Sequence, residues 1–200
     1  IEPVGFLTSL VETFEAFLKL LGFAIATGLF YGRFSRPRAF LKFSSIALIV
    51  PFKGGTALMF RMAPFKNNLL TDAQIILTCA IEDHTEEGNS KSKFFTLDTQ
   101  LNTINSLSLN WTVVHVIDEN SPFFDLGEDR FSEMDIEIFA QVRAFDEVFS
   151  NTVVQRTSYA SIENEIVFGE KFNMMYAPSK DQKTTVLNLG LIDSYIPKKR

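Results

Sequence analysis

The spacing of hydrophobic side chains changes sharply about forty residues into the chain. Residues 6–31 are rich in Phe, Leu, Ala and Gly, contain no proline and carry only three charges. Twenty-six helical residues would span about 39 Å, which exceeds the hydrocarbon core of a bilayer, about 30 Å. This pattern predicts one transmembrane helix.

The three charges of this helix fall on one side. At 100° per residue, Glu12, Glu15 and Lys19 lie within an arc of about 60°, and Glu15 and Lys19 form an i,i+4 pair of favourable orientation. One polar stripe can then face protein or water while the remaining surface faces lipid. A buried amphipathic helix of a soluble protein and a signal peptide are the alternatives.

Three arginines, Arg33, Arg36 and Arg38, follow the apolar run. A signal peptide carries its positive charges before the apolar run, which is the reverse order. The positive-inside rule places these arginines on the cytoplasmic side. We therefore expect residues 1–38 to form a membrane helix with a basic exit and residues 39–200 to form a cytoplasmic domain.

Beyond residue 40 the hydrophobic period becomes two. Ile136, Ile138, Ala140, Val142 and Ala144 alternate with residues of the opposite face, as in a half-buried strand. Similar runs predict strands at 47–50, 56–62, 73–81, 94–97, 112–117, 153–159, 164–168 and 184–191. Turn-forming residues separate them, including Lys53-Gly54-Gly55 as a hairpin signal. Seven to nine short strands and one brief helix near 127–134 predict a β-sandwich.

Composition narrows the function classes. With 19 basic and 24 acidic residues the net charge is −5, which disfavours binding to nucleic acid through its phosphates. The single cysteine, Cys79, and two histidines exclude a disulfide framework and a Cys/His zinc cluster. No catalytic motif is present, and His115 lies inside a strand run, which favours a hydrogen-bonded core histidine. We expect neither an enzyme nor a cofactor.

Four short motifs occur in order along the chain. They are Ala-Thr-Gly-Leu-Phe-Tyr-Gly-Arg-Phe-Ser-Arg-Pro-Arg at 26–38, Leu-Met-Phe-Arg at 58–61, His-Val-Ile-Asp-Glu-Asn-Ser-Pro at 115–122 and Arg-Thr-Ser-Tyr at 156–159. Together they resemble inward-rectifier potassium channels, especially the bacterial members. The resemblance covers nearly the whole chain and implies an immunoglobulin-like cytoplasmic β-sandwich behind one pore-lining helix.

The family's selectivity filter is a Thr-x-Gly-Tyr/Phe-Gly run whose carbonyls replace the hydration shell of potassium, and the sequence does not contain it. Residues 1–5 resemble the segment that follows the filter. We expect the outer helix, pore helix and filter to precede this sequence.

The resemblance places Phe23, Thr27 and Tyr31 on the pore side of the helix, with Tyr31 at the constriction. Their spacing of four forms one stripe. From the residues alone, Tyr31 is an aromatic anchor at headgroup level. Phe23 occupies the position where strongly rectifying relatives carry an acid that holds magnesium or polyamines, so the apolar ring argues against strong rectification.

The resemblance also implies a cytoplasmic pore. Asp72 corresponds to a pore acid, and Phe145, Asp146, Ser150 and Asn151 belong to a loop that narrows the pore in the family. From the residues alone, Asp72 is an exposed residue at a strand start and the loop is an ordinary hairpin.

Arg33, Arg36, Arg38 and Lys66 match the region where the family contacts anionic, phosphoinositide-like lipids. The alternative is that the arginines only set the membrane topology. Both roles are compatible.

The resemblance implies a pore-forming subunit of a homotetrameric channel that conducts potassium in the cell membrane, gated at the crossing of the inner helices and at the cytoplasmic loop. It also suggests the voltage-gated class. The rival hypothesis is a membrane-anchored β-sandwich binding module without a pore.

Overall fold

A computed structural model describes residues 5–34, 39–66, 69–84, 90–178 and 185–198. The chain divides into two compact units, 1–37 and 38–200. The described helices and strands are α1 (Phe6–Phe34), β1 (Leu41–Phe43), β2 (Ala47–Phe52), β3 (Gly55–Pro64), β4 (Leu70–His84), β5 (Ser90–Thr96), β6 (Thr103–Leu107), β7 (Trp111–Ile117), α2 (Glu128–Glu133), β8 (Asp135–Asp146), β9 (Asn151–Ala160), β10 (Ile166–Phe172), β11 (Tyr176–Pro178), β12 (Thr185–Leu187) and β13 (Tyr195–Pro197).

The described part of the first unit is helix α1. Its 29 residues correspond to about 44 Å, and an 18-residue window reaches a mean hydropathy of 1.5. None of its side chains is buried, and Glu15 and Lys19 form the expected ion pair. The predicted helix is confirmed in length and apolarity, and it extends to Phe34, so Arg33 lies in its last turn.

The first sheet of the second unit has the strand order β1-β3-β2-β10-β13, with β7 also paired to β3. All its pairings are antiparallel except that of β2 with β10. Lys53 and Gly54 form a two-residue turn between β2 and β3. Both have positive φ, 49° and 86°. This geometry is that of a type I′ hairpin, so the predicted hairpin is confirmed.

The second sheet has the order β5-β4-β8-β9, with β6 also paired to β4. The predicted alternation of β8 is confirmed, since Ile136, Ile138, Ala140, Val142 and Ala144 are all at most 2% exposed. These side chains point inward, and the intervening positions form the outer face of the sheet.

One hydrophobic cluster contains residues from both sheets. Leu58 of β3, Leu77 of β4 and Ile138 of β8 belong to it, and the rings of Phe60 and Tyr159 meet with centroids 5.2 Å apart. Two sheets that share one core form a β-sandwich, which confirms the predicted fold class. The immunoglobulin-like strand connectivity stays a prediction.

Several strand boundaries differ from the sequence expectation. β4, predicted at 73–81, is longer at both ends and extends from Leu70 to His84. The strand predicted at 184–191 is wrong after Leu187, because Leu189–Leu191 is a 3₁₀ helix. The Asn188 side chain accepts a hydrogen bond from Gly190 N at 3.0 Å, and this local contact replaces a ladder partner.

Candidate functional site

Phe23, Thr27 and Tyr31 occupy one stripe of α1 at i, i+4 and i+8. The Thr27 hydroxyl donates to the Phe23 carbonyl at 2.8 Å, so its proton is used within the helix. Phe23 is 72% exposed and Tyr31 is 74% exposed. Two unpartnered aromatic rings separated by two turns are therefore available to meet neighbours or to line a pathway.

Asp72 lies at a bulge in β4. The pairing of β4 with β8 shifts register between Thr71 and Gln74, and Asp72 has a φ of 47°. A bulge leaves a residue without a partner in the ladder and redirects its side chain. Asp72 is exposed at this bulge.

Asp72 lines a surface depression of about 310 Å³, called the Asp72 depression. Its lining residues come from three adjacent strands of the second sheet: Asp72, Gln74, Arg143, Ala144, Phe145 and Thr152. The structure thus brings together Asp72 and Phe145, which the sequence analysis had singled out separately. It adds Arg143, which that analysis overlooked.

The loop between β8 and β9 is organised by Asp146. This residue is 0% exposed, and its Oδ1 accepts hydrogen bonds from Val148 N at 2.9 Å and Phe149 N at 3.2 Å. Ser150 closes the turn with a φ of 48°, and Asn151 pairs with Asp146 at the start of β9.

The buried Asp146 carboxylate therefore shapes the loop from inside, and the place of this loop in a pore stays a prediction. Three apolar side chains near the loop tip are exposed, together with the polar residues Glu147, Ser150 and Asn151. Val148 is 63% exposed, Phe149 is 49% exposed and Phe145 is 39% exposed. The loop therefore presents hydrophobic groups beside the Asp72 depression.

The residues assigned to lipid contact are only partly described. Arg33 lies in the last turn of α1, whereas Arg36 and Arg38 lie outside the described residues. The Lys66 ammonium is 4.1 Å from the centroid of the Phe40 ring, a cation–π contact.

Arg61, the last residue of the Leu-Met-Phe-Arg motif, is 6% exposed. Its Nη2 donates to the Asn173 carbonyl at 2.6 Å, and its guanidinium is 4.2 Å from the centroid of the Phe172 ring. Burial lowers its pKa to about 10, so the group stays charged at neutral pH. Arg61 therefore fastens the end of β10 to β3, which is a structural role.

His115 is a buried, hydrogen-bonded core histidine, as predicted. Its Nδ1 is 2.6 Å from the Asp98 carbonyl and its Nε2 is 2.8 Å from the Ser121 hydroxyl. Because a carbonyl only accepts, Nδ1 carries the proton, and Nε2 accepts from Ser121. Burial lowers the pKa of His115, while the Asp98 carbonyl and the charges of Asp118 and Asp98 oppose this shift.

This shift predicts a pH dependence of folding. Below pH 6.5 the unfolded chain binds a proton at His115 more readily than the folded chain does. The contribution of neutral His115 to the free energy of unfolding is therefore complete above that pH and declines as the pH falls. His115→Asn retains a donor in place of Nδ1 but cannot titrate. We expect its free energy of unfolding to fall less than that of the parent between about pH 7.5 and 5.5, with a slope difference of at most about 1.4 kcal/mol per pH unit.

Chemical denaturation at several pH values measures these slopes. The His115→Asn substitution will lower the free energy of unfolding at every pH. Only the slope of that free energy against pH therefore tests the titration of His115. Parallel pH profiles for the parent and His115→Asn would show that His115 does not titrate differently in the two states.

Among the residues that the structure describes, no group of three or more His, Cys, Asp or Glu side chains is placed to hold a metal ion. Cys79 is buried and free, and burial raises its pKa to about 12. The thiol therefore remains protonated at neutral pH and is a poor nucleophile.

Residues 41–192 match the model of the inward rectifier potassium channel C-terminal domain. The chain is 30% identical over 188 residues to the inward rectifier potassium channel Kirbac3.1 of Paramagnetospirillum magnetotacticum, covering 94% of this chain and 63% of the relative. It is 29% identical to the G protein-activated inward rectifier potassium channel 1 of Bos taurus, covering 80% of this chain and 33% of the relative.

The human ATP-sensitive inward rectifier potassium channel 10 is 30% identical over 178 residues, covering 85% of this chain and 46% of the relative. The chain thus spans less than two thirds of each of these proteins. Among solved structures, the sporulation control protein Spo0M of Bacillus subtilis aligns with 62% of this chain and 49% of its own at 8% identity, with a TM-score of 0.30, which is too low to support an argument.

The suggestion of a voltage-gated class is not supported. The matched proteins are named as inward rectifiers, which are not classically voltage-gated. Voltage sensors are helices rich in arginine, whereas Arg33 is the one arginine of α1. Nothing in α1 resembles such a sensor.

Proposed function

Because the chain belongs to the inward-rectifier potassium channel family, we propose that it is the pore-lining and gating part of a homotetrameric potassium channel in the cell membrane. The observation that carries this proposal is α1, a 29-residue apolar helix with no buried side chain, directly ahead of a domain that matches the family. A helix of this polarity is stable when lipid or other helices cover it. Arg33 in the last turn of α1 supports, by the positive-inside rule, a cytoplasmic position of the β-sandwich.

In this proposal four copies of α1 surround the pore. Phe23, Thr27 and Tyr31 face the axis, and the four Tyr31 rings form a constriction that closes the pore by sterics and dewetting. The apolar Phe23 offers no charge to a blocking cation, so strong rectification is not expected from this position. The alternative role for Tyr31 is an aromatic anchor at the membrane interface.

The second sheet supplies the cytoplasmic end of the pathway. We assign the Asp72 depression and the β8–β9 loop to the cytoplasmic vestibule, the part of the proposed pore beyond the helix crossing. Four copies of the loop would place Val148 and Phe149 around the axis as an apolar narrowing. Potassium is the permeant ion, and no cofactor is invoked.

Assembly is the first test. The 200-residue chain, purified in detergent and in lipid nanodiscs, should have the mass of a tetramer by light scattering, because α1 and the apolar loop tips need partners. A stable monomer in both media would contradict the proposal and favour the membrane-anchored binding module.

Conduction needs a selectivity filter, and the 200-residue sequence contains no Thr-x-Gly-Tyr/Phe-Gly run. Flux experiments therefore use this chain joined behind the outer helix, pore helix and filter of the bacterial relative. We call this fusion the filter-containing channel.

We further propose that Arg33, Arg36, Arg38 and Lys66 bind anionic lipid headgroups, including phosphoinositides where present. Each basic residue near such a surface contributes about 1 kcal/mol. Changing the three arginines to Gln in the filter-containing channel should remove most of the response of potassium flux to phosphatidylglycerol, measured in liposomes of graded composition.

The matched control changes the same three arginines to Lys, which keeps the charge and should keep the lipid response. If the Gln and Lys variants respond to phosphatidylglycerol as the parent does, the arginines act as topology signals only.

A further inference from the structure

A cleft lies between helix α2 and the edge strand β5, beside the end of β4. Its volume is about 550 Å³, which is within the range of pockets that hold small molecules. Its charged lining residues are Glu82, Lys93, Arg130 and Glu133, and we call it the α2–β5 cleft. The proposed channel function assigns no role to any of these four residues.

The helical wall of the cleft is anchored to the core. Phe131 of α2 is 2% exposed, and its ring packs against those of Phe123 and Phe168, with centroids 5.3 and 5.8 Å away. At the end of the helix the Met134 carbonyl accepts a hydrogen bond from the Ser161 hydroxyl at 2.7 Å. These contacts hold the backbone of α2 in place, so the residues that it presents to the cleft have fixed origins.

Arg130 and Glu133 are the charged residues on this wall. They are three positions apart on α2, so their side chains are neighbours on the helix surface, and both are exposed. In the described part of the chain neither takes part in an ion pair within 4.0 Å. A base and an acid therefore stand side by side at the cleft without being joined to each other.

The strand wall adds an apolar surface. Lys93 of β5 is opposite Ile81 of β4 in the ladder, and Phe95 lies two residues further along the same face. Ile81 is 7% exposed, whereas the Phe95 ring is 38% exposed. The Phe95 ring and the Met134 thioether both line the cleft, so an apolar group bound there would contact an aromatic ring and a flexible sulfur side chain.

The charges of the lining select the class of ligand. Two positive and two negative side chains give the cleft no net charge, so a ligand that carries only one sign of charge would meet a like charge beside each opposite one. A ligand that carries both signs can be attracted at both ends. The exposed Phe95 ring favours an apolar group on the same molecule.

We propose that the α2–β5 cleft binds a free α-amino acid with a large apolar side chain. The Arg130 guanidinium pairs with the ligand carboxylate, for which its fork of donors is suited, and the Glu133 carboxylate accepts hydrogen bonds from the ligand ammonium. The ligand side chain lies against Phe95 and Met134. This site is separate from the proposed pore and does not depend on assembly into a tetramer.

The probe for this site is L-phenylalanine, titrated by isothermal calorimetry into the 200-residue chain in detergent, with the titration into detergent alone subtracted. We expect saturable binding of one molecule per chain. Arg130→Gln and Glu133→Gln should each weaken that binding by about tenfold, because each removes a charge-assisted hydrogen bond. Both positions are exposed, so both variants should keep the denaturant midpoint of the parent.

Two analogues assign each charge to its partner. 3-Phenylpropanoate lacks the ammonium and phenethylamine lacks the carboxylate, so each should bind the parent about tenfold more weakly than L-phenylalanine. Glu133→Gln should bind 3-phenylpropanoate at least as well as the parent does, since the lost acid has no ammonium to meet. Arg130→Gln should bind phenethylamine at least as well as the parent does, for the corresponding reason.

Arg143→Gln is the matched control, because Arg143 is an exposed arginine on the outer face of β8, away from the cleft lining. It should leave the affinity for L-phenylalanine within about twofold of the parent. The proposal is overturned if the parent shows no saturable binding, if it binds either analogue as tightly as L-phenylalanine, or if Arg143→Gln loses as much affinity as Arg130→Gln. Because the site needs no pore, failure of the channel proposal would leave these outcomes unchanged.

Discussion

Replacing Tyr31 with Ala in the filter-containing channel is expected to raise basal potassium flux per tetramer by about tenfold, equivalent to a barrier lower by about 1.4 kcal/mol. Tyr31 is 74% exposed on α1, and the proposal places its four rings at the narrowest point of the pore. Alanine removes most of each ring, which widens the opening and allows water and ions to enter. Flux into potassium-loaded liposomes, normalised to the assembled tetramer and checked for barium block, measures the change.

Phe23→Ala is the matched control, because Phe23 is a similarly exposed aromatic residue two turns earlier on the same stripe. A rise in flux in Phe23→Ala alone would move the main barrier toward the filter. If Tyr31 is an interfacial anchor, Tyr31→Ala will instead lower the stability of the tetramer and leave flux per tetramer at or below the parent value.

Replacing Gly169 with Ala is expected to destabilise the β-sandwich by about 3 kcal/mol, since overpacking a close-packed site costs on the order of 1–3 kcal/mol. A Cβ at position 169 would lie 2.9 Å from the Ile196 carbonyl oxygen, from Leu48 Cδ1 and from Tyr195 Cδ2. Side chains can rotate away, but the carbonyl belongs to the partner strand, and the pairing of β10 with β13 already shifts register at Gly169. Denaturant unfolding of the 200-residue chain measures the loss.

Gly127→Ala is the control for this change. A Cβ at Gly127 meets no atom within 4 Å, and its φ of −68° suits any residue, so we expect a change below about 0.5 kcal/mol. If Gly169→Ala lowers the free energy of unfolding as little as Gly127→Ala does, β13 can move away from position 169 at little cost.

The sequence predicted those elements whose signal is local. Strand β8 shows five inward residues at a period of two, and the β2–β3 turn shows Gly54 at a position that needs positive φ. Strands β1, β6, β11 and β13 were missed because they are only three to five residues long and contain no readable period. Their existence depends on distant partners, as in the pairing of Phe43 with Met62.

The candidate site was predictable only in part. Resemblance identified Asp72 and Phe145, but the bulge and the positive φ that expose Asp72 depend on the register of β4 against β8. Arg143 was identifiable as the one basic residue among the outward positions of β8, at 137, 139, 141, 143 and 145. The burial of Asp146 was readable from the sequence, since the inward alternation of β8, continued past Ala144, places its side chain inside.

Potassium flux through the filter-containing channel tests the central claim most directly, because it requires this chain to assemble, line a pore and open. We expect uptake of a potassium tracer into potassium-loaded liposomes that barium blocks and that exceeds uptake by protein-free liposomes. A tetramer of confirmed mass that shows no barium-sensitive uptake, in the parent and in Tyr31→Ala alike, would contradict the claim that this chain lines a potassium pore.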